Sequence, residues 1–233
     1  MSTAIQAAAD AIKNSQKVAA LTGAGVSAES GVPTFREAQT GLWSRYDPQQ
    51  LATAAAFQRD PKLVWDWYQF RRGLVNKAQP NPGHHALTDL QTYRPDTTII
   101  TQNVDDLHEQ AGNTNVVHLH GNIAESKCFN NCQGIPTLID ISTLQWDETV
   151  GPPACPHCGA HVRPNVVWFG EMLPTDMINM AQVATVACDV MLVVGTSGLV
   201  QPAASLPLIA KRGGATVIEV NPDETPITAY ADV

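Results

Sequence analysis

Residues 18–36 read VAALTGAGVSAESGVPTFR. The first five are a short apolar run ending at a glycine, which predicts a buried strand. The turn that follows places Gly23, Gly25 and Ala28 at the spacing of a dinucleotide-binding fingerprint, with Ala in the third place. Glycines there let backbone N–H groups approach a pyrophosphate at a helix N-terminus. Tight strand–helix turns use glycine for other reasons, so the pattern alone is weak. A dehydrogenase would carry a second strand about twenty residues on, ending in an acid for the ribose. The corresponding PTFREAQTGLWSRY is loop-like. A bound dinucleotide is indicated; hydride transfer is not.

Four more apolar runs read as buried strands: TTIIT (97–101), VVHLH (116–120), DVMLVVGT (189–196) and ATVIEV (215–220). Helical patterns lie between several of them. That alternation predicts an α/β fold with a parallel sheet covered on both faces. Two segments break the rhythm. Residues 33–83 hold loops and an aromatic helix; residues 121–165 hold four cysteines, five prolines and little periodicity. The expected organisation is a Rossmann-type large domain from 1–32, 84–120 and 166–233. A cofactor-loop and helical insertion (33–83) and a small metal-binding module (121–165) complete it.

Hydrophobic residues make up 44% of the 233, enough for a sizeable core, and the formal net charge is −8. That charge argues against direct nucleic-acid binding and suits a lysine-rich protein partner. The start, MSTAIQAAADAIKNSQK, patterns as an amphipathic helix and not as a signal peptide. No apolar stretch is long enough to span a membrane. A cytoplasmic monomer is expected.

Cys128 and Cys132 form one pair, CFNNC; Cys155 and Cys158 form another, CPHCG; twenty-two residues separate them. In a cytoplasmic chain this spacing favours a tetrahedral zinc site over disulfides. Four thiolates leave no position for water, so the zinc is expected to be structural. Cys188, beside an apolar strand, reads as an inert core thiol.

TQNVDDLHEQAG (101–112) leaves a strand with Gln, Asn and Asp at its carboxyl end, the edge where open parallel sheets bind ligands. HLHGN (118–122) ends the next strand similarly. With GAGVSAESGVPTFR, GTSGLVQPAASLP (195–207), EVNPDE and the cysteine pairs, these motifs resemble the sirtuin family of NAD-dependent protein lysine deacylases over nearly the whole chain. The resemblance implies an NAD-binding Rossmann lobe, a small zinc lobe, and an acylated lysine of a protein substrate in the cleft between them. It implies Gly23, Ala24, Gly25 and Ala28 at the cofactor phosphates, and Phe35 and Arg36 on a loop over the ribose and nicotinamide. Gln102 and Asn103 contact the ribose side, with Asn103 counted as catalytic, and Asp105 holds the carboxamide. Gly195, Thr196 and Ser197 lie on the phosphate and ribose side, and Asn221 on the adenosine ribose. His120 is the general base. VVWFGE (166–171) pairs with the substrate backbone, with Val167 and Phe169 flanking the lysine stem and Gly170 and Glu171 beside them. Nicotinamide, O-acyl-ADP-ribose and free lysine are the implied products. His84, His85 and His108 read as structural. Family members usually continue past the equivalent of NPDETPITAYADV through a further strand and helix, so the chain is expected to be short at the adenine end.

The helix written VWDWYQFRRG (64–73) bears on the acyl group. Asp60 and Pro61 are its expected N-cap and first residue. At about 100° per residue, Leu63, Trp67, Phe70 and Leu74 form the expected core stripe. Arg72 then points to solvent, and Tyr68 and Arg71 share a flank. The desuccinylase-like class of sirtuins carries a Tyr and an Arg three apart in this region, matched by Tyr68 and Arg71. A guanidinium fork binds a carboxylate in two places, and tyrosine adds a donor. Small Ala55 leaves room for a longer acyl chain. Removal of both acetyl and succinyl or malonyl groups is the expectation. Mono-ADP-ribosyl transfer from the same cofactor site, or a non-catalytic NAD and zinc module, are the rival readings.

Overall fold

The computed structural model describes residues 3–33, 47 and 51–233. The chain divides into two compact units. The larger is built from Met1–Val32, Gln79–Leu119 and Leu173–Val233; the smaller from Pro33–Ala78 and His120–Met172. The boundaries fall at 78/79, 119/120 and 172/173, where the sequence had suggested 83/84, 120/121 and 165/166. The helical insertion and the cysteine module belong to one unit.

The larger unit is a five-stranded parallel sheet in the order β3-β2-β1-β6-β7. Its strands are β1 (Val18–Thr22), β2 (Thr98–Thr101), β3 (Val116–His118), β6 (Val190–Val194) and β7 (Thr216–Val220). β1 is buried along its whole length because both faces are covered. Val18 and Ala20 face one side, with α1 (Thr3–Asn14) and α5 (Pro82–Tyr93) packed there through Ala8, Ile12, Leu87 and Leu90. Ala19 and Leu21 face the other, against Ala181 of α6 (Thr175–Ala187) and Leu206 and Ala210 of α7 (Leu206–Arg212). The strand order reverses between β1 and β6. In such sheets that reversal opens a crevice at the carboxyl edge.

In the smaller unit, β4 (Gly121–Cys128) pairs antiparallel with β5 (Val162–Val166). The register shifts between Asn122 and Ser126, so β4 bulges there. Helices α3 (Ala54–Arg59) and α4 (Pro61–Val75) belong to this unit. The α4 N-terminus is as expected: the Asp60 side chain accepts from the Leu63 N–H, and Pro61 is the first helical residue.

The buried face of α4 differs from the expected stripe. Val64, Trp65, Trp67, Tyr68, Arg72 and Val75 are buried, while Leu63, Phe70 and Leu74 are only half-buried. Arg72 is therefore not solvated. Its guanidinium donates to the Ile123 and Glu125 carbonyls and the Ser126 hydroxyl, and lies over the Trp65 ring. The bulge withdraws those carbonyls from the β4–β5 ladder, and Arg72 satisfies them. Burial pulls its pKa down to about 10, so it remains charged at neutral pH.

Candidate active site and metal centre

At the carboxyl edge of the larger unit, the turns after β1 and β6 meet backbone to backbone. A Cβ on Gly23 would lie 2.8 Å from the Gly195 oxygen, one on Gly25 2.7 Å from it, and one on Gly195, whose φ is +60°, 2.5 Å from the Val26 nitrogen. The Gly25 N–H donates to the Gly195 carbonyl at 2.8 Å. These glycines are thus required by the approach of two protein backbones, and the Gly25 N–H is already used within the fold. Ala28 is exposed at the end of a four-residue helix, α2 (Gly25–Ala28), and does not make the close helix–strand packing its fingerprint place serves. Gly25→Ala should lower the melting temperature by about 3–10 °C, since only backbone can yield there. A differential-scanning trace coincident with that of the unaltered protein would contradict this account.

Other expected residues gather on the same edge. The Gln102 side chain donates to the Thr196 hydroxyl at 2.8 Å, and the Asn221 side chain to the Thr196 carbonyl at 2.7 Å. Ser197, which follows Thr196 in sequence, is exposed, whereas Thr196 is buried. Phe35 and Arg36 lie outside the described residues.

Below that edge runs a buried polar network that sequence reasoning missed. The Asn81 N–H donates to Nδ1 of His84 at 3.2 Å, so neutral His84 carries its hydrogen on Nε2, 3.4 Å from the Ser27 hydroxyl. Asn103 also donates to that hydroxyl, at 3.0 Å. The Leu107 N–H donates to the Asp105 carboxylate at 3.2 Å. Burial raises the Asp105 pKa, while the Leu107 N–H and Ser27 oppose the rise. The His84 and His108 rings meet at a tilt of 59° with centroids 4.9 Å apart, and each pKa is held down to about 4, chiefly by burial. His84 is thus structural in a specific sense: it orients the groups beside Asn103 and Asp105. The one available signal was NPGHH, a helix start whose third residue completes the capping box with Asn81. His118 binds Glu109 at 2.6 Å; burial opposes its protonation, but Glu109 outweighs this and raises its pKa.

In the smaller unit, His120 is half-buried in the turn before β4. Its carbonyl accepts from the Val167 N–H at 2.9 Å. Gly121 beside it has φ +78°, and a Cβ there would lie 2.1 Å from the Asn165 oxygen. The backbone at His120 is therefore fixed on both sides. After β5, Phe169 is partly exposed, and its N–H donates to the Ala52 carbonyl at 2.9 Å. Gly170 takes a left-handed φ of +86°. The Glu171 carboxylate is engaged inside the protein, by both terminal nitrogens of Arg163 and by the Trp168 N–H. Tyr68 is buried and receives the Trp168 indole N–H at 2.9 Å. Burial lifts its pKa to about 12, against the charge of nearby Arg71. The Arg71 guanidinium lies 5.1 Å from the Trp67 ring centroid.

The four cysteines converge. Their sulfurs lie within 4.8 Å of one another, with Cys128–Cys158 at 3.5 Å and Cys132–Cys155 at 3.8 Å. A tetrahedral zinc with bonds of about 2.3 Å sets neighbouring sulfurs about 3.8 Å apart, so the cluster fits that ion. Burial works against a Cys128 thiolate, but the Cys132 and Asn130 N–H groups and the adjoining thiols pull its pKa down to about 7. Cys132 is pushed up to about 12, by desolvation and its sulfur neighbours. Four thiolates this close repel one another unless a dication lies among them. Cys188 is a buried thiol whose pKa burial raises to about 11.

A Rossmann-type sheet with glycine-bound turns and, in the same chain, a four-cysteine unit define a class, and comparison with known proteins resolves it. The Sir2 family profile matches residues 23–202, and the chain belongs to the Sir2 family. A protein of Ralstonia nicotianae named NAD-dependent protein deacylase is 51% identical over 222 residues, which is 95% of this chain and 87% of that protein. One of the same name from Aquifex aeolicus is 49% identical over 93% of this chain and 87% of its own length. Among solved structures, a complex of a Sir2 homologue with NAD superposes with a TM-score of 0.88 at 48% identity, over 97% of this chain and 86% of that one. A Sir2–p53 peptide–NAD+ complex superposes with a TM-score of 0.82 at 33% identity, over 98% of this chain and 90% of that one. Among the described residues, no helix is long and apolar enough to cross a membrane.

Proposed function

We propose that this chain is an NAD-dependent protein lysine deacylase, acting on acetyl-lysine and on lysine carrying acidic acyl groups such as succinyl or malonyl. The observation that carries the activity is the identity of about half of all residues, over nearly the full chain, with proteins named NAD-dependent protein deacylase. NAD suits the residues present: the turns bound together by Gly23, Gly25 and Gly195 put no side chain between them, and Gln102, Ser197 and Asn221 offer polar groups on the same edge. When bound, NAD supplies the ADP-ribosyl group that accepts the acyl oxygen as nicotinamide leaves.

The protein's own part is to hold and to move a proton. Asn103, held by Ser27 and His84, and Asp105, held by the Leu107 N–H, orient the nicotinamide side. His120 takes the proton from the attacking hydroxyl, a role imidazole suits because it accepts and returns protons near neutral pH. Val167 and Phe169 flank the lysine stem. The four cysteines hold one structural zinc. The protein acts as a monomer, without nucleic acid or membrane. Its five free cysteines suit a reducing compartment, the cytoplasm.

Tyr68 and Arg71 carry the acyl preference. A guanidinium is a poor partner for the methyl of an acetyl group and a good one for a carboxylate. Product masses after incubation with NAD and matched acetyl, succinyl and malonyl peptides test the proposal. Nicotinamide release without free lysine would favour ADP-ribosyl transfer instead. Arg71→Met should lower the succinyl-to-acetyl ratio of kcat/KM by about thirtyfold, the scale of a lost charged hydrogen bond. Equal loss on both peptides would remove the carboxylate role.

A further inference from the structure

The proposal here rests on the acidic-acyl reading of Tyr68 and Arg71 and deepens it. It starts from a contact that no part of that reading requires. Trp168 and Tyr68 are both buried, with rings 6.4 Å apart, and the indole N–H donates to the phenol oxygen at 2.9 Å. An indole nitrogen only donates. The Tyr68 oxygen is therefore the acceptor in this bond, and its own hydrogen is what it has left to give.

Trp168 is itself held in place from below and behind. The Arg163 guanidinium stacks 3.2 Å from its ring centroid. Arg163 also donates to the Val166 carbonyl at 2.7 Å and forks onto Glu171, at 2.5 and 3.0 Å. Glu171 in turn accepts the Trp168 backbone N–H at 2.9 Å. Ring, backbone and carboxylate lock one another over residues 163–171. The indole N–H is thus aimed by a closed set of contacts, and its direction does not depend on any ligand.

We propose that Trp168 is a specificity-determining positioning residue: its indole N–H fills the acceptor side of the Tyr68 hydroxyl, so that the phenol presents its hydrogen to the terminal carboxylate of an acidic acyl chain. A hydroxyl free to rotate could offer that carboxylate a lone pair, which repels it. A hydroxyl that already accepts one hydrogen bond is fixed as a donor and is polarised toward giving its hydrogen. Burial keeps the phenol protonated across the working pH range. Acetyl-lysine ends in a methyl group and gains nothing from this arrangement. Trp168 touches Tyr68, and acts on the acyl group only through it.

The test is a double-mutant cycle read as a ratio. kcat/KM is measured on matched succinyl-lysine and acetyl-lysine peptides for the unaltered protein, Trp168→Phe, Tyr68→Phe and the pair. Trp168→Phe keeps a packed ring and deletes the N–H. It should lower the succinyl-to-acetyl ratio about three- to tenfold, the range for one neutral hydrogen bond. In the Tyr68→Phe background it should lower the ratio no further, because the hydroxyl it acts through is gone. An unchanged ratio in Trp168→Phe, with Tyr68→Phe still lowering it, overturns the proposal and leaves the acidic-acyl reading intact. Independent, multiplying effects in the pair overturn it as well. No change in Tyr68→Phe or Arg71→Met would take down the acidic-acyl reading and this proposal with it. Should Trp168→Phe fail to fold, Arg163→Lys replaces it in the cycle. It loosens the stack beneath the indole without touching Tyr68, and the same drop and the same non-additivity are expected.

Discussion

Changing His120 to tyrosine is expected to lower kcat/KM on acyl-lysine peptides by about a thousandfold, the scale of a lost general base. The change should be confined to chemistry. The backbone at this position is held by the Val167 N–H on the His120 carbonyl and by the close approach of Gly121 to Asn165. Neither contact uses the imidazole. The variant should therefore keep its fold and its metal. Steady-state kinetics beside a melting curve would separate the two effects. Deacylation within a few-fold of the unaltered protein would remove His120 from the mechanism.

The second large effect concerns the metal. Stripping it with a chelator, or replacing Cys155 by serine, should unfold the smaller unit. Structural zinc contributes apparent free energies of about 10–16 kcal/mol in zinc-finger peptides at neutral pH, and such domains are unfolded without it. The dependence is physical. Cys128 and Cys155 share a core cluster with Trp65, Ile139 and Val162, so splaying the sulfurs opens that core. Elemental analysis should find one zinc per chain, and cobalt substitution should give the spectrum of a tetrahedral four-sulfur site. Full activity and an unchanged melting curve in metal-free protein would refute a structural role. A metal-dependent rate with metal-independent folding would point to a catalytic ion, which four cysteine ligands do not allow.

Much of the architecture was legible in the sequence because its signals are local. Each of the five parallel strands is a continuous apolar run ending at a polar or glycine position, and the cysteine pairs declare themselves by spacing. What escaped was set by partners far away in the chain. Arg72 lies on a helix whose apolar spacing pointed elsewhere; only the bulge in β4 turns its burial into an advantage, by offering two carbonyls and a hydroxyl. Gly25 fits a phosphate-binding pattern, yet its N–H is consumed by Gly195, some 170 residues on. His84 looked like one histidine of several near a turn. Its value comes from Ser27, which reaches it only once the sheet is assembled. Trp168 sat inside a motif and drew no notice, because a tryptophan in an apolar stretch has the same local pattern whether or not its N–H is spent on a specific tyrosine.

The strand order of the sheet also bears on how the molecule comes into being. β1 is the central strand, yet one of its two neighbours, β6, enters with the register Val18 to Val190. At about 5–20 residues per second, a ribosome needs on the order of ten to thirty seconds to deliver that neighbour. During the interval every residue of the smaller unit, which ends at Met172, has already been made. The unit that interrupts the sheet is thus complete in sequence before the sheet it interrupts. Its cysteines can capture their ion while Val18–Thr22, an entirely apolar run but for its last residue, still lacks half of its partners. Until β6 is made, the edge of β1 that pairs with it has no partner of its own, and an unpaired strand edge is a place where wrong pairings start.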